Sequence, residues 1–242
     1  MLKHPMQRRA FLKGIAMSGI YSISAVARAQ GAADIQCLAQ ESGRCAEWPL
    51  VVSVLFTDAP QQCNDRIESI RVETGYSKPM KFSETGVNEA RERFFKEVFA
   101  YFAEEPSVWL RALIITDDLG QWPDVANQRD ARYFAKYKYV LESGIGDEFD
   151  NPAIYIPKQN DPRNEQLELK LKAIAPFVVR TEPPLGNLAQ LARFFATAIR
   201  AEKSGEGSKW GGLLLNDLKT TLGTTDLTQL DSEKAIIVST NI

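Results

Sequence analysis

The run "WPLVVSVLFTDA", residues 48–59, limits the fold more than any other stretch of the chain. From Leu50 to Thr57 only Ser53 and Thr57 interrupt a series of Leu, Val and Phe. A strand with one wet face alternates polar and apolar residues, and this one does not, so both of its faces must be covered. A layered α/β domain, with helices on both sides of a sheet, satisfies that demand.

The rest of the chain supplies the layers. "DIQCLAQ" (34–40) reads as a strand turning at Glu41-Ser42-Gly43, and "VWLRALIITDD" (108–118) as a second buried strand. "AIYIP" (153–157) and "FVVRT" (177–181) are shorter strands, and "KAIIVST" (234–240) a closing edge strand. "CNDRIESIRVETG" (63–75) is a helix stopped by Gly75.

In "SETGVNEARERFFKEVFAYFAEEP" (83–106), Val87, Ala90, Phe94, Phe95, Val98 and Phe102 recur at helical spacing, with Ser83 or Thr85 as the expected cap. Helices are also expected over 125–143, with Phe134, Tyr137 and Leu141 on one face, and over 164–175. A further helix over 186–203 turns Leu188, Leu191, Ala192, Phe195 and Ile199 inward, and another follows the break "SGEGS" over 209–222.

The first 29 residues stand apart as an expected twin-arginine signal peptide. Arg8-Arg9 is followed by Ala10-Phe11-Leu12-Lys13, then by a weakly apolar run and the small-x-small site Ala27-Arg28-Ala29. The run is shorter than the roughly 20 residues a membrane-spanning helix needs, so no anchor is expected after cleavage. The expected location is periplasmic or secreted, reached through the twin-arginine export machinery. Residues 30–242 then form one α/β domain, in line with the length and a hydrophobic content of 44%.

Cleavage changes the charge. Five cations (Lys3, Arg8, Arg9, Lys13, Arg28) leave with the signal and no acid does, so 24 Lys and Arg face 31 Asp and Glu, a net charge of −7. Such a surface disfavours non-specific nucleic-acid binding, which needs clustered cations. His4 is the only histidine and leaves too, which excludes Ser-His-Asp and Cys-His catalysis and His-ligated zinc. The spacings of Cys37, Cys45 and Cys63 fit no zinc motif; a Cys37–Cys45 or Cys45–Cys63 disulfide and three buried thiols are both compatible with them.

Three local patterns, read in order, resemble a bacterial family of unknown function with a ribonuclease-H-like fold. They are Gln40-Glu41-Ser42-Gly43, Met80-Lys81-Phe82-Ser83 and Gln190-Leu191-Ala192-Arg193. The family opens on a strand ending Asp-Glu-Ser-Gly, carries a Glu-Ile-Lys-Phe-Ser-like segment and ends with a Gln-Leu-Ala-Asp helix. The resemblance covers roughly residues 34–205 and implies a central mixed sheet flanked by helices.

The departures all fall on acids. The resemblance places Gln40 and Arg193 where the family has Asp, and Met80 where it has Glu. A fourth acid is expected after "AIYIP", where only Asp161 can serve. Ribonuclease-H-like catalysis uses about four carboxylates to hold two divalent cations. Gln offers one neutral oxygen, Met offers a hard cation nothing, and Arg193 brings a positive charge. The resemblance therefore implies a degenerate metal site with no cofactor, in which Arg193 serves as counter-charge to Glu41, Glu84 or Asp117.

Each acid also has a plainer role. Glu41 suits a turn, Glu84 suits a helix start through the dipole, Asp117 and Asp118 solvate a strand end, and Asp161 precedes Pro162 in a turn. Three functional expectations follow. The first is an exported, non-catalytic binding or interaction protein. The second is a Mg2+- or Mn2+-dependent phosphodiester hydrolase using Glu41, Glu84, Asp117 and Asp161, which must then converge on one point. The third is an unrelated ligand binder with an apolar pocket.

Overall fold

A computed structural model of the 242-residue chain describes residues 33–43, 49–82, 88–116, 126–145, 149–157, 162–181 and 186–240. The strands are β1 (Ile35–Ser42), β2 (Leu50–Thr57), β3 (Val108–Ile115), β4 (Pro152–Pro157), β5 (Phe177–Thr181) and β6 (Ala235–Thr240). The helices are α1 (Pro60–Thr74), α2 (Glu89–Glu104), α3 (Ala126–Ile145), α4 (Pro162–Leu171), α5 (Asn187–Ser204) and α6 (Lys209–Thr221).

The strands form one mixed sheet in the order β5-β4-β1-β2-β3-β6. β2 runs antiparallel to both β1 and β3, while β4, β5 and β6 join by parallel pairing. Among the described strands β2 alone points the other way, and it sits in the middle, buried at all eight positions. Its run, apolar but for Ser53 and Thr57, is the direct signature of that place. β6 closes one edge as expected, with Leu110 opposite Ala235.

Side-chain alternation divides the sheet into two faces. Ile35, Cys37 and Ala39 of β1 and Val52, Val54 and Phe56 of β2 pack with Tyr137 and Leu141 of α3 and Leu167 of α4. Leu38, Val51 and Leu55 pack on the other side with α1, α2, α5 and α6. On that second face a set of rings interlocks, with Phe95 stacked on Phe194 at 4.9 Å and Phe102 against Phe195 at 4.7 Å. Phe94, Phe95, Phe99 and Phe102 are thus core groups, as their helical spacing predicts.

Helix ends follow local chemistry. Pro60 opens α1, and Gly75, at φ 70°, stops it in a left-handed turn that favours glycine. α2 begins later than expected: the cap is Asn88, whose side chain accepts from the Arg91 N–H, rather than Ser83 or Thr85. Asn is among the best caps, and Glu89 and Glu92 add favourable charge in the first turn. Leu188, Leu191, Ala192, Phe195 and Ile199 all face inward on α5. Among the described residues no helix is long and apolar enough to cross a membrane.

Candidate functional site

Gln40 lies near the carboxyl end of β1, directly across from Ser53 of β2. It is 3% exposed and shares the face of Leu38, beneath α5. The Ser53 hydroxyl donates to the Ala192 carbonyl at 2.7 Å, which ties α5 to the sheet one residue before Arg193. The strand residue opposite Gln40 is therefore the one that bonds the third motif.

The second motif joins them from the side. Gln190 Oε1 accepts from the Met80 backbone N–H at 2.9 Å and from Arg71 Nη2 at 3.2 Å. Arg71 Nη1 donates to the Lys78 carbonyl at 2.5 Å and the Tyr76 carbonyl at 3.4 Å, and Nε donates to Asn187 Oδ1 at 3.0 Å. Its guanidinium lies 4.8 Å from the Phe94 ring centre, and burial pulls its pKa down. Arg91 takes the far end of the segment, donating to the Lys81 carbonyl at 2.6 Å. Residues 76–82 have no regular ladder of their own, so these side chains supply the backbone partners that a helix or strand would provide.

Tyr76, Met80 and Phe82 on that segment point inward, while Ser77, Lys78, Pro79 and Lys81 are exposed. Met80 is 4% and Phe82 5% exposed, both within the aromatic core. Met80 is thus a packing group, which accounts for the absence of a charge there: a carboxylate in that position would be desolvated without a partner. On the outer side, Arg71, Tyr76, Lys78, Asn187, Gln190 and Val72 line an open cleft of about 500 Å³.

Arg193 is exposed on α5, and its neighbour along the same stripe, Thr197, donates to the Arg193 carbonyl at 2.9 Å. Glu41 lies elsewhere. Adjacent strand residues face opposite ways, so Glu41 emerges on the α3 side, where the Tyr137 hydroxyl donates to its Oε1 at 2.6 Å. The sheet separates Glu41 from α5, so Glu41 is not the counter-ion expected for Arg193. Glu84, Asp117, Asp118 and Asp161 lie outside the described residues, and among the described residues no group of three or more acids, cysteines or histidines could hold a metal.

The cysteines are plain. Cys37 and Cys63 are free, buried thiols on opposite faces of the sheet, so neither bridge through Cys45 is formed; Cys45 itself lies outside the described residues. Burial pushes both thiols up, away from the reactive thiolate.

Three contributors escape sequence reading. Gln190 stands in the sequence as one letter of a motif, with no sign of the shared acceptor it proves to be. Arg71 looks like one more charge on an exposed helix. Tyr155 on β4 is 5% exposed with its hydroxyl unpartnered, and burial raises its pKa to about 12. In "AIYIP" its ring looks like ordinary strand packing.

No protein-family model and no curated protein matches this chain. The resemblance to the motif family therefore rests on the three motifs alone. Among solved structures the chain is similar to Bst-RNase HIII, both as a mutant protein and in complex with Mn2+. Each is 13% identical, with a TM-score of 0.39, and covers 90% of this chain. The chain spans 66% of the length of those proteins. Likeness at that level says nothing of activity, and the α/β fold class is read here from the sheet itself.

Proposed function

We propose that this chain is an exported ribonuclease-H-like domain whose metal site has lost its acids, and that it works as a binding or interaction protein without catalysis. The observation that carries the reading is Gln40. At the strand position where the resembling family has Asp, it is a neutral amide buried beneath α5, with Ser53 and Ala192 beside it.

The neighbouring positions support the same reading. Met80 is a core plug and Arg193 an exposed cation. None of the three suits a divalent cation, which needs hard, preferably charged oxygen ligands. A two-metal mechanism has no foothold on these residues.

Export belongs to the proposal as well. The twin-arginine pattern supports it and assigns the domain to residues 30–242, delivered already folded to the periplasm or beyond. The competing reading, a Mg2+- or Mn2+-dependent phosphodiester hydrolase, loses one of its four acids: Glu41 faces α3, away from Gln40. The test is nuclease activity of the pure chain on single-stranded and double-stranded DNA and RNA with Mg2+ or Mn2+. The expected result is none above buffer, and activity that EDTA abolishes overturns the proposal.

A further inference from the structure

The open cleft beside the second motif has a buried charge in its wall. Arg71 lines it with a side chain only 9% exposed. A guanidinium carries five N–H groups, and the four hydrogen bonds that Arg71 makes go to Asn187 Oδ1, the Tyr76 and Lys78 carbonyls and Gln190 Oε1. All four acceptors are neutral. They satisfy the geometry of the group without cancelling its charge, and a buried cation is stable only with a counter-ion.

Among the described residues that line the cleft, Glu68 is the only acid. Its side chain is 62% exposed, 3.8 Å from Arg71 Nε, and it accepts from Asn187 Nδ2 at 3.2 Å. A carboxylate in water offsets a buried charge weakly. Burial accordingly pulls the Arg71 pKa down despite Glu68. Lys78, exposed, brings a second cation to the lining, so the described residues there carry one net positive charge in a chain that is acidic as a whole.

The same cleft has an apolar wall. Val72 is 78% exposed, more than any other large apolar side chain among the described residues, and it lines the cleft with Pro79 and Tyr76. Single apolar side chains on a surface are ordinary, but one at the mouth of a cavity that holds a buried cation offers cover for the hydrocarbon part of an anion.

We propose that this cleft binds an apolar monocarboxylate, with the carboxylate against Arg71 and Lys78 and the hydrocarbon over Val72 and Pro79. One negative charge balances the lining, whereas a phosphate dianion would exceed it beside Glu68. The volume, about 500 Å³, lies within the roughly 300–1,000 Å³ of small-molecule pockets. A short organic acid and the C-terminus of an apolar peptide both carry this group, and the titration below separates them.

The inference rests on the binding reading above and supplies its ligand class. It is tested with the 15N-labelled full chain by following the backbone amides of Gly75, Ser77 and Lys78 and the side-chain amides of Asn187 and Gln190. Hexanoate is expected to shift them to saturation. Hexanamide, which keeps the hydrocarbon without the charge, and acetate, which keeps the charge without the hydrocarbon, are expected to need at least about tenfold higher concentrations. N-acetyl-Ala-Ala-Leu with a free C-terminus identifies the source: tighter binding than hexanoate assigns a peptide end, weaker binding a free acid.

Arg71 also holds residues 76–82 in place, so the charge is probed at Lys78 instead. Lys78→Gln is expected to raise the half-saturating hexanoate concentration about fivefold and Val72→Thr about threefold; both positions are exposed, so the fold is kept. No saturation with hexanoate, equal binding of hexanamide or inorganic phosphate, or either variant titrating like the parent overturns the inference. Metal-dependent nuclease activity overturns the binding reading beneath it and leaves this titration unmoved. A silent titration in a chain without nuclease activity removes this inference and leaves that reading standing.

Discussion

Returning the family's acid to position 40 is the perturbation whose cost follows most directly from the geometry. Gln40 is 3% exposed, on the face of β1 that lies beneath α5. A carboxyl introduced there by Gln40→Asp loses its hydration and gains no counter-charge, which raises its pKa; about two to three units is an ordinary shift for such burial. At about 1.36 kcal/mol per unit, about 3–4 kcal/mol of stability is lost once the pH exceeds the raised value.

The sign follows from linkage. With a folded-state pKa near about 6–7 and an unfolded value of about 3.9, stability is unaffected below about pH 4, falls through the interval and levels off above about pH 7. Deleting one methylene adds about 1 kcal/mol at every pH. Urea unfolding of parent and variant at about pH 4 and pH 7.5 reads the difference, with the m-value unchanged. A gap between the two proteins that is the same at both pH values refutes the burial argument, because it means the carboxyl is solvated or already paired.

Gln190→Leu removes the shared acceptor of Met80 and Arg71 and leaves buried donors unpaired; it is expected to cost about 2–4 kcal/mol in urea unfolding and to speed amide exchange in residues 76–82, whereas Gln190→Glu keeps the acceptor and is expected to stay within about 1 kcal/mol of the parent. Cys37 and Cys63, held as neutral thiols in the core, are expected to resist iodoacetamide in the native chain at about pH 8 and to react at once in urea, as read by mass spectrometry.

What the sequence discloses depends on period. β2 can be read because an octet apolar but for Ser53 and Thr57, with no alternation, has one explanation, and α5 because Leu188, Leu191, Phe195 and Ile199 keep helical step. The opposition of Gln40 and Glu41 is also within reach, since neighbours on a strand face opposite ways, yet the motif draws both toward one site.

The segment 76–82 has no period to read. Its place is set by Arg71, Arg91 and Gln190, which come from three helices, with Gln190 far away in the chain, and such bonds exist only once the core has formed. Tyr155 is opaque for a similar reason. Whether a strand tyrosine finds a partner for its hydroxyl is decided by what packs above it, not by its neighbours in sequence.

The most direct test of the central claim is calorimetric titration of Mg2+ and Mn2+ into the full chain, beside the double variant Gln40→Asp, Arg193→Asp. The account predicts no binding of either ion to the parent and a gain of binding in the variant, because two hard oxygen ligands then replace an amide and a cation. Tight binding by the parent contradicts it, and would place the ligating acids elsewhere in the chain.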